Sequence, residues 1–501
     1  MPHADGRWAH AQEVEGTGAP PRRAPGREPV SSDELATPFR QRADGAMKDT
    51  FLQEALTIAT TKFIGLRREA FAGFPEGEAL RDQARAIKEA TLQELDRHLE
   101  TLIANVERLG GHVHYAAAPV EARSIIVDIA RRTGARMAVK SKSMATEEIH
   151  LNEALEAAGI TPVETDLGEY IIQLAHERPS HIIAPAIHKT KGQVAELFTR
   201  ELNRHAAPDP EALTRIARGE LREKFLQADL GITGANFAVA DTGTVVLVTN
   251  EGNGRMVTSL PRVHVAVMGV EKVVPSLTDL MVFLAILAKS ATGQKLSVYT
   301  SLVQGPRRAG ELEGPEEFHL VLLDGGRIAQ IGGPLREALS CLRCGACLNV
   351  CPVYRQIGGH AYGYTYPGPI GILLTAMMEG TPAVKDLAHA SSLCGACADA
   401  CPVRIDIPRM LIDLRREVGD RKIAPWTERV AFTLLSRLLR HPRLYRLAAR
   451  AGRLLQRPFA GSGRVSRLPL FFGEWTRTRD LPPMASRTFQ ERWASDMDLR
   501  A

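Results

Sequence analysis

The sequence predicts an α/β domain with a doubly wound, mostly parallel sheet, followed by a smaller helical domain that carries the cysteines and by a helical basic tail. Between residues 112 and 324, short β-rich runs alternate with amphipathic helical segments, which is typical of a parallel sheet covered by helices. All seven cysteines lie between positions 341 and 401. Residues 421–501 contain 17 Lys or Arg but only 6 Asp or Glu, so the positive charge belongs to the tail.

Length and composition exclude several classes of protein. At roughly 100–200 residues per domain, a chain of 501 residues should contain two to four domains. Hydrophobic residues make up 44% and charged residues 24%, which indicates a folded globular protein rather than a fibrous or disordered one. The longest apolar run, residues 280–288, is too short to cross a bilayer, and no apolar signal segment begins the chain. We therefore expect a cytoplasmic protein.

Residues 1–46 are predicted to be a disordered extension. They contain six Pro, five Gly and several Arg without a hydrophobic period, so ordering them would bury little apolar surface. A helical pattern opens at Met47, which is a candidate start of the native chain, and apolar residues recur at helical spacing as far as residue 109. The first domain is therefore predicted over residues 47–326.

Within that domain, strands and helices alternate. The predicted strands are residues 112–116, 137–141, 161–166, 181–186, 245–249, 263–269, 296–301 and 318–324. The predicted helices between them are residues 120–132, 146–158, 189–203, 212–227 and 277–289. Residues 236–249 instead indicate a hairpin, because a turn sequence at 241–244 separates two β-rich runs.

Three places at predicted strand ends could face a binding crevice. Residues 140–143 (Lys-Ser-Lys-Ser) could hold an anion or form a solvated lysine loop. His188 and Arg255 are further candidates, although each could equally be structural. The pair His176-Glu177 with His181 has the wrong spacing for a zinc protease motif and contains a proline. Neither a P-loop nor a complete dinucleotide fingerprint occurs.

The first cysteine motif has a spacing that favours iron–sulfur chemistry. It consists of Cys341, Cys344, Cys347 and Cys351, followed by Pro352. In two-cluster ferredoxins such a run supplies three thiolates to one [4Fe–4S] cluster and its fourth to another cluster. A zinc knuckle or buried structural cysteines are the alternatives, but four cysteines in eleven residues are not a usual zinc pattern.

A second copy of the motif begins fifty residues after the first. It reads Ser391, Cys394, Cys397 and Cys401, again followed by proline, so a serine replaces its first cysteine. The crossing rule then predicts one cluster on Cys341, Cys344, Cys347 and Cys401 and a second on Cys351, Cys394 and Cys397. The second cluster lacks one thiolate, so a serine oxygen, another ligand or water completes it, or it remains [3Fe–4S].

These motifs place the second domain at residues 327–420. The long insert between them is similar to the α-helical ferredoxin modules of succinate dehydrogenase and heterodisulfide reductase. Paired clusters mainly relay single electrons, although a structural role is the alternative.

The tail, residues 421–501, begins with a basic amphipathic stretch. Leucines alternate with arginines between positions 426 and 457, and Pro442 should interrupt the helix. We expect this surface to bind an acidic partner or the anionic inner membrane face, or else to pack on its own domain. Binding of nucleic acid is not expected, because the rest of the chain is net negative.

Several segments together resemble the LUD domain. They are KSKSMATEE at 140–148, PAIH at 185–188, GITGANF at 231–237, DTGT at 241–244, TNEGNGR at 249–255 and GVEK at 269–272. With both cysteine motifs and the basic tail, residues 47–501 resemble the lactate utilisation protein B family. The resemblance implies a fold like that of ribose-5-phosphate isomerase and the CoA-transferases, and it carries the seven cysteines over as cluster ligands.

The resemblance also implies a three-protein system that oxidises L-lactate to pyruvate, with lactate utilisation proteins A and C as partners. Because the chain has cluster motifs but no hydride-accepting motif, the leading hypothesis is an electron-transfer subunit. A directly catalytic 2-hydroxy-acid oxidoreductase and an assembly scaffold with structural clusters are the alternatives.

Overall fold

The computed structural model describes residues 37–461, 463–468, 473, 476 and 479–496. The chain divides into two compact units at residue 418, and each is described by itself. Among the described residues, no helix is both long and apolar enough to cross a bilayer.

The first unit begins with four helices and continues as an α/β region. Its helices up to residue 292 are α1 (Phe39–Ala46), α2 (Thr50–Ala72), α3 (Gly77–Gln93), α4 (Leu95–Arg108), α5 (Pro119–Arg132), α6 (Met144–Glu148), α7 (Leu151–Ala157), α8 (Leu167–Leu174), α9 (Lys191–Glu201), α10 (Pro210–Gln227), α11 (Asn253–Ser259) and α12 (Leu277–Thr292). Its strands are β1 (His112–Ala116), β2 (Met137–Lys140), β3 (Thr161–Glu164), β4 (Leu230–Gly234), β5 (Phe237–Val239), β6 (Thr244–Thr249), β7 (Val263–Gly269), β8 (Val273–Val274), β9 (Tyr299–Val303) and β10 (Glu317–Leu323).

Six strands form a wholly parallel sheet in the order β1-β10-β7-β4-β2-β3. The central strand β7 is buried at every residue, as expected for a parallel strand with helices on both faces. Strand β10 directs Phe318, Leu320 and Leu322 to one hydrophobic cluster and Val321 and Leu323 to the other. The predicted mixed α/β fold with a parallel sheet is therefore confirmed.

A smaller mixed sheet lies beside the parallel one, in the order β8-β5-β6-β9. Strands β5 and β6 pair antiparallel, with Val239 opposite Thr244, so the hairpin predicted at residues 236–249 is confirmed. Gly243 has a φ of 69° in the turn. A Cβ there would approach the backbone of Asn105 in α4 to 2.8 Å, so the turn needs glycine for both conformation and space.

Three predictions of local structure are wrong. Residues 181–186 form no strand, because Ile182 and Ile183 pack instead against the region that carries the cysteines, residues 341–401, called the cysteine region below. The helix predicted at 146–158 breaks into α6 and α7 at His150, whose φ is 51°. Residues 1–36 lie outside the described residues, but 39–46 of the extension predicted as disordered form helix α1.

Helix α1 is held by partners far away in the sequence. The Phe39 ring packs on the Tyr362 ring, with centroids 6.3 Å apart. The Arg42 guanidinium donates from Nε to the carbonyl of Ala361 at 3.0 Å. The Pro/Gly/Arg composition of residues 1–46 could not reveal these contacts, because their partners lie some 320 residues later.

The cysteine region consists of short helices. The α-helices are α13 (Ala346–Asn349), α14 (Tyr354–Ile357), α15 (Gly368–Glu379), α16 (Ala396–Ala400) and α17 (Ile407–Asp420). The 3₁₀ turns of the first unit are Val270–Lys272, Ile328–Gln330, Arg336–Ser340, His360–Tyr362, Thr381–Val384 and Leu387–His389. One hydrophobic cluster extends from both sheets into this region, since it contains Leu320 of β10, Phe237 of β5 and Leu373 of α15. The division into domains at residues 326 and 327 therefore stays a prediction.

The second unit contains a pair of basic helices and a short hairpin. Its elements are α18 (Trp426–Arg440), α19 (Pro442–Leu455), the 3₁₀ turn Arg457–Phe459, β11 (Ala460–Gly461), β12 (Arg464–Val465) and α20 (Phe489–Asp496). Pro442 starts α19, so the predicted interruption of the helix is confirmed. Arg453 pairs with Glu491 of α20, with Nη1 and Oε2 3.1 Å apart.

Candidate iron–sulfur site

The first cysteine motif forms a tight loop that ends at a short helix. Arg343 has a φ of 61° and Gly345 a φ of 73°, and α13 begins directly afterwards. The backbone N–H of Arg343 donates to the Sγ of Cys341 at 3.3 Å. Two left-handed residues within three positions turn the chain sharply, which brings the cysteine side chains of the loop together.

The second motif repeats this backbone geometry. Leu393 has a φ of 56° and Gly395 a φ of 86°, and α16 follows. The backbone N–H of Leu393 donates to the Oγ of Ser391 at 3.2 Å. Ser391 therefore occupies, within its own loop, the position that Cys341 occupies in the first.

Four cysteines from the two motifs line one small cavity. They are Cys341, Cys344, Cys347 and Cys401. Burial raises the pKa of Cys344 to about 12 and that of Cys401 to about 11, and the neighbouring Cys341 sulfur raises both further. Burial likewise raises the pKa of Cys347, with contributions from Cys341, Cys344 and Cys401. These four sulfurs are thus close enough to act on one another electrostatically.

The other three cysteines form a second group. Burial raises the pKa of Cys397 to about 12, and Cys351 adds to this effect. Burial and the neighbouring Cys394 raise the pKa of Cys351. Cys394 itself is exposed, and a hydrogen bond from the backbone of Ala396 lowers its pKa. The second group is therefore more accessible to solvent than the first.

The residues present fit iron–sulfur clusters. Buried thiols that raise one another's pKa cannot ionise together unless a cation compensates their charge, and metal binding supplies that compensation while releasing the protons. Soft thiolates are the ligands that iron–sulfur clusters use. The cysteine side chains of the first group would hold one cluster and those of the second group another.

Basic side chains from the N-terminal helices contact the second motif, which the sequence did not indicate. Arg81 of α3 donates from Nη2 to the carbonyl of Cys401 at 2.8 Å, and Arg67 of α2 donates to the carbonyl of Ala400 at 3.1 Å. Arg81 is almost fully buried. These contacts fix the backbone that carries Cys401. Each arginine lies more than 300 residues before the carbonyl that it contacts.

A cavity of about 370 Å³ lies at the carboxyl ends of the parallel strands. Its lining includes Lys142 after β2, Gly234 of β4 and Gly269 of β7. Arg343 and Cys344 of the first motif also line it, so the cavity abuts the first cysteine group. Such a crevice at the ends of parallel strands is the usual binding place in open α/β sheets.

Only part of the predicted anion loop at residues 140–143 lines this cavity. Lys140 is buried, and its Nζ lies 2.5 Å from the Oε1 of Glu164, so it faces away from the cavity. Burial alone would lower the pKa of Lys140, but Glu164 and Glu147 outweigh it and raise the pKa. Lys142 lines the cavity and donates to the carbonyl of Ile183 at 2.7 Å.

The other two crevice candidates lie elsewhere. The Nε2 of His188 lies 2.7 Å from the Oε2 of Glu177, within hydrogen-bond distance. The ring centroids of His188 and His360 are 4.5 Å apart. Ligand atoms of these three residues lie within 4.8 Å of one another, so the group could hold a metal ion, although Lys189 also pairs with Glu177. Arg255 packs over the Tyr299 ring at 5.9 Å. Neither His188 nor Arg255 lines the cavity.

Glu271 connects the α/β region to the cysteine region. Its Oε2 lies 2.7 Å from the Nε of Arg327, and its Oε1 lies 3.2 Å from the Nη2 of Arg343. Burial disfavours the charged carboxylate, but Arg327, Arg343 and Lys272 outweigh burial and lower the pKa of Glu271 to about 2. The buried carboxylate therefore stays ionised between the two guanidinium groups.

A parallel-sheet α/β domain joined to two cysteine loops of this spacing defines an iron–sulfur protein with a LUD domain. The LUD domain model matches residues 99–323, and the 4Fe-4S dicluster domain model matches residues 337–405. The model for the C-terminal region of lactate utilisation protein B matches residues 414–497. The three matched segments follow one another along the chain without overlap.

Curated relatives match along nearly the whole chain. The lactate utilization protein B of Bacillus licheniformis is 43% identical over 460 residues, which cover 91% of this chain and 96% of the relative. The proteins of the same name from Shouchella clausii and an Exiguobacterium species are 44% and 45% identical, and the matches cover 91% and 90% of this chain and 96% of each relative. The chain belongs to the lactate utilisation protein B family.

Proposed function

We propose that this chain is the iron–sulfur electron-transfer component of a system that oxidises L-lactate to pyruvate and so allows lactate utilisation. Each bound cluster would accept and release one electron at a time. The observation that carries the proposal is the arrangement of the seven cysteines in two groups, each drawn from both motifs. The names of the relatives support lactate as the substrate of the system.

The proposed ligands follow the two groups. Cys341, Cys344, Cys347 and Cys401 would hold the first [4Fe–4S] cluster, and Cys351, Cys394 and Cys397 the second. Ser391, whose Oγ accepts the N–H of Leu393, is the proposed oxygen ligand that completes the second cluster. Because an oxygen binds iron–sulfur iron less strongly than a thiolate does, this site is where an iron would be lost to give [3Fe–4S].

We also propose the finer fold and domain assignments. Residues 47–326 form a LUD domain of the ribose-5-phosphate isomerase and CoA-transferase type, and residues 327–420 form an α-helical ferredoxin-like domain. Lactate utilisation proteins A and C are the proposed partners. The basic tail, residues 421–501, would hold the protein at the cytoplasmic face of an anionic membrane. Its support is the exposure of both leucines and arginines along α18 and α19.

A second candidate function is direct oxidation of a 2-hydroxy acid by this chain. The observation that favours it is the cavity, which Cys344 of the first cysteine group also lines. Substrate in that cavity would lie beside the first cluster. No nicotinamide fingerprint accompanies it in the sequence, so the electron-transfer proposal remains the leading one.

The test is reduction of the clusters by L-lactate in the purified, cluster-loaded chain, with and without the two partner proteins. The electron-transfer role predicts that lactate bleaches the visible absorption of the clusters only when the partners are present. Bleaching by lactate in the chain alone would support the direct enzyme instead. If dithionite reduces the clusters but lactate does not under either condition, the clusters are structural and the proposal is wrong.

A further inference from the structure

Three side chains of the kinds that bind transition metals meet where the α/β region contacts the cysteine region. Glu177 follows helix α8, His188 precedes α9, and His360 begins a 3₁₀ turn. One ligand atom from each of them lies within 4.8 Å of the other two. Zinc binds nitrogen and oxygen at about 2.0–2.2 Å, so two ligand atoms on one ion are at most roughly 4.4 Å apart. Small side-chain rotations would therefore bring all three onto a single ion.

The hydrogen bonds around this group orient Glu177 and His360 as ligands. The Nε2 of His360 lies 2.6 Å from the carbonyl oxygen of Arg178, and because a carbonyl only accepts, this nitrogen carries the proton. The Oε1 of Glu177 lies 2.6 Å from the Nζ of Lys189, and its Oε2 faces His188. Hydrogen bonds from His188 and Lys189 outweigh burial and lower the pKa of Glu177 to about 2, so it is an anion at neutral pH. Metal ligands are usually held by outer partners of these kinds.

The ring of His188 is only partly satisfied by its neighbours. Its Nε2 lies 2.7 Å from the Oε2 of Glu177. Its Nδ1 is buried and has no hydrogen-bond partner among the described residues, and only 11% of the side chain is exposed. A buried polar atom without a partner costs free energy. The imidazole therefore has more binding capacity than the surrounding protein uses.

Two imidazoles and one carboxylate favour zinc over the other common divalent cations. Mg²⁺ and Ca²⁺ prefer shells of oxygen atoms, whereas imidazole nitrogen suits zinc. Zinc sites with three protein ligands keep a fourth position for water, and the exposure of Glu177 and His360 leaves that position accessible. No cysteine belongs to the group, so it is separate from the proposed cluster ligands.

The segment that carries Glu177 and His188 also contacts the cysteine region at Ser180. The Ser180 carbonyl accepts the hydroxyl of Tyr354 at 2.7 Å, and its Oγ accepts the N–H of Gly359 at 3.2 Å. Both partners lie shortly after Cys351, a proposed ligand of the second cluster. An ion held by this segment and by the cysteine region would therefore fix the chain that follows that ligand.

We propose that Glu177, His188 and His360 bind one Zn²⁺ ion, which clamps residues 177–188 onto the cysteine region. One ring nitrogen of each histidine and one oxygen of the carboxylate are the protein ligands. Lys189 opposes the ion, because its ammonium group contacts the same carboxylate. The site therefore binds zinc less tightly than it would without that lysine.

The test is equilibrium dialysis of the full, cluster-loaded chain, prepared without a histidine tag, against Zn²⁺. We expect about one Zn²⁺ per chain in addition to the cluster iron. His360→Gln should weaken binding at least about a hundredfold, because loss of a mere outer partner of a ligand already costs about tenfold to a hundredfold. The glutamine amide can still donate to Arg178, which preserves the fold. His205→Gln, in the exposed loop between α9 and α10, is the matched control and should bind like the wild type.

A charge variant reports on the carboxylate ligand. Lys189→Met should tighten zinc binding about tenfold, because it removes a positive charge next to the ion. A variant that binds zinc no more tightly than the wild type would contradict the placement of the ion on Glu177.

Two further readouts identify the ligands and the clamp. The X-ray absorption spectrum at the zinc edge should show nitrogen or oxygen at about 2.0–2.1 Å, whereas a cysteine ligand would give sulfur at about 2.3 Å. Zn²⁺ should raise the thermal midpoint of the cluster-loaded wild type but not that of His360→Gln, because an ion that binds only the folded state stabilises it. Iron analysis verifies that each variant contains the same clusters.

The zinc assignment is wrong if the cluster-loaded wild type retains no Zn²⁺, if His360→Gln retains as much, or if the zinc spectrum shows sulfur. If Zn²⁺ binds through nitrogen and oxygen but leaves the thermal midpoint unchanged, the ion does not clamp the segment and that part of the proposal is wrong. The electron-transfer proposal is independent of these results, because it is tested by lactate-dependent reduction of the clusters.

Discussion

Ser391 occupies the position in the second cysteine loop that Cys341 occupies in the first. Each side chain accepts the backbone N–H of the residue two positions later, at 3.2 Å for the serine oxygen and 3.3 Å for the cysteine sulfur. The left-handed residues that follow, Arg343 and Leu393, also correspond. The replacement of cysteine by serine therefore changes the atom offered to iron from sulfur to oxygen and leaves the loop geometry intact.

Ser391→Cys should make the second cluster resistant to air. Anaerobically purified wild-type protein should contain about eight irons per chain and air-exposed protein about seven, with a [3Fe–4S] resonance, because the iron without a thiolate is the labile one. The variant should keep about eight irons in air, without that resonance. Iron analysis and electron paramagnetic resonance measure both. The control is Ser124→Cys, which adds a thiol at an exposed position of α5 in the α/β region, and equal protection by it would contradict the assignment.

The last cysteine of each motif is assigned to the cluster of the other motif, and this crossing gives a second prediction. Cys401→Ala should damage the first cluster and Cys351→Ala the second, which is the reverse of the order of the motifs along the chain. The reason is that Cys401 acts electrostatically on Cys344 and Cys347, whereas Cys351 acts on Cys397. Electron paramagnetic resonance spectra of the reduced variants distinguish the signals of the two clusters. Loss of the same cluster from Cys351→Ala and Cys344→Ala would contradict the crossing.

Local patterns were sufficient for the parallel sheet and the cysteine motifs, because their signals lie within a few residues. Long-range pairs were not predictable. The partner of Arg343 is Glu271, 72 residues earlier in the chain, and nothing in the Cys-x-x-Cys spacing indicates it. Likewise Ile182 and Ile183 read as a strand because an apolar run has the same composition whether it joins a sheet or packs as a buried loop.

The same limit explains Lys140 and Lys142. Both belong to a lysine-serine run after a strand, and the sequence could not tell which of them faces the crevice. Lys140 is the last residue of β2 and pairs with Glu164 on the neighbouring strand β3, whereas Lys142 lies beyond the strand end and reaches the cavity. The distinction depends on where the strand ends.

Removal of residues 1–46 should destabilise the protein, whereas removal of residues 1–36 should not. Only the longer deletion removes α1, with the contact of Phe39 on Tyr362 and the hydrogen bond from Arg42 to Ala361. Loss of the partly buried aromatic ring alone should cost roughly 2 kcal/mol of unfolding free energy. Urea unfolding of the two cluster-loaded truncations, monitored by circular dichroism, measures the difference. Equal midpoints would show that α1 contributes no stability.

Glu271→Gln should lower the unfolding free energy by roughly 3 kcal/mol at neutral pH, because it leaves the buried Arg343 without its carboxylate partner and Arg327 with Glu148 alone. Exposed Glu313→Gln is the matched control and should have little effect.

The effect of Glu271→Gln should depend on pH. The arginines Arg327 and Arg343 hold the pKa of Glu271 at about 2, below its ordinary value of 4.5. The carboxylate therefore contributes its full stabilisation above about pH 4.5, and this stabilisation is lost as the pH falls toward 2. The difference in thermal midpoint between wild type and variant should thus narrow on acidification. A difference that stays constant from about pH 6 to pH 3 would contradict this account.

Replacement of Arg443, Arg446 and Arg450 by Gln should weaken binding of the full chain to vesicles rich in anionic lipid. The three arginines are exposed on α19, beside exposed leucines such as Leu444 and Leu447. At about 1 kcal/mol for each basic residue near an anionic surface, the loss should approach roughly a hundredfold. Vesicle pelleting at low salt measures it, and high salt should abolish the wild-type binding because it screens the charges.

The matched control for this experiment is the replacement of Arg215, Arg218 and Arg222 by Gln. These arginines have the same spacing on helix α10 and are also exposed, so the control removes an identical charge from the α/β region. It should leave pelleting nearly unchanged if α19 is the surface that binds the membrane, because it leaves every charge of the tail in place. Equal losses in both triple variants would assign the binding to net charge rather than to α19. Absence of pelleting in the wild type at low salt would exclude membrane binding and leave an acidic protein as the partner of the tail.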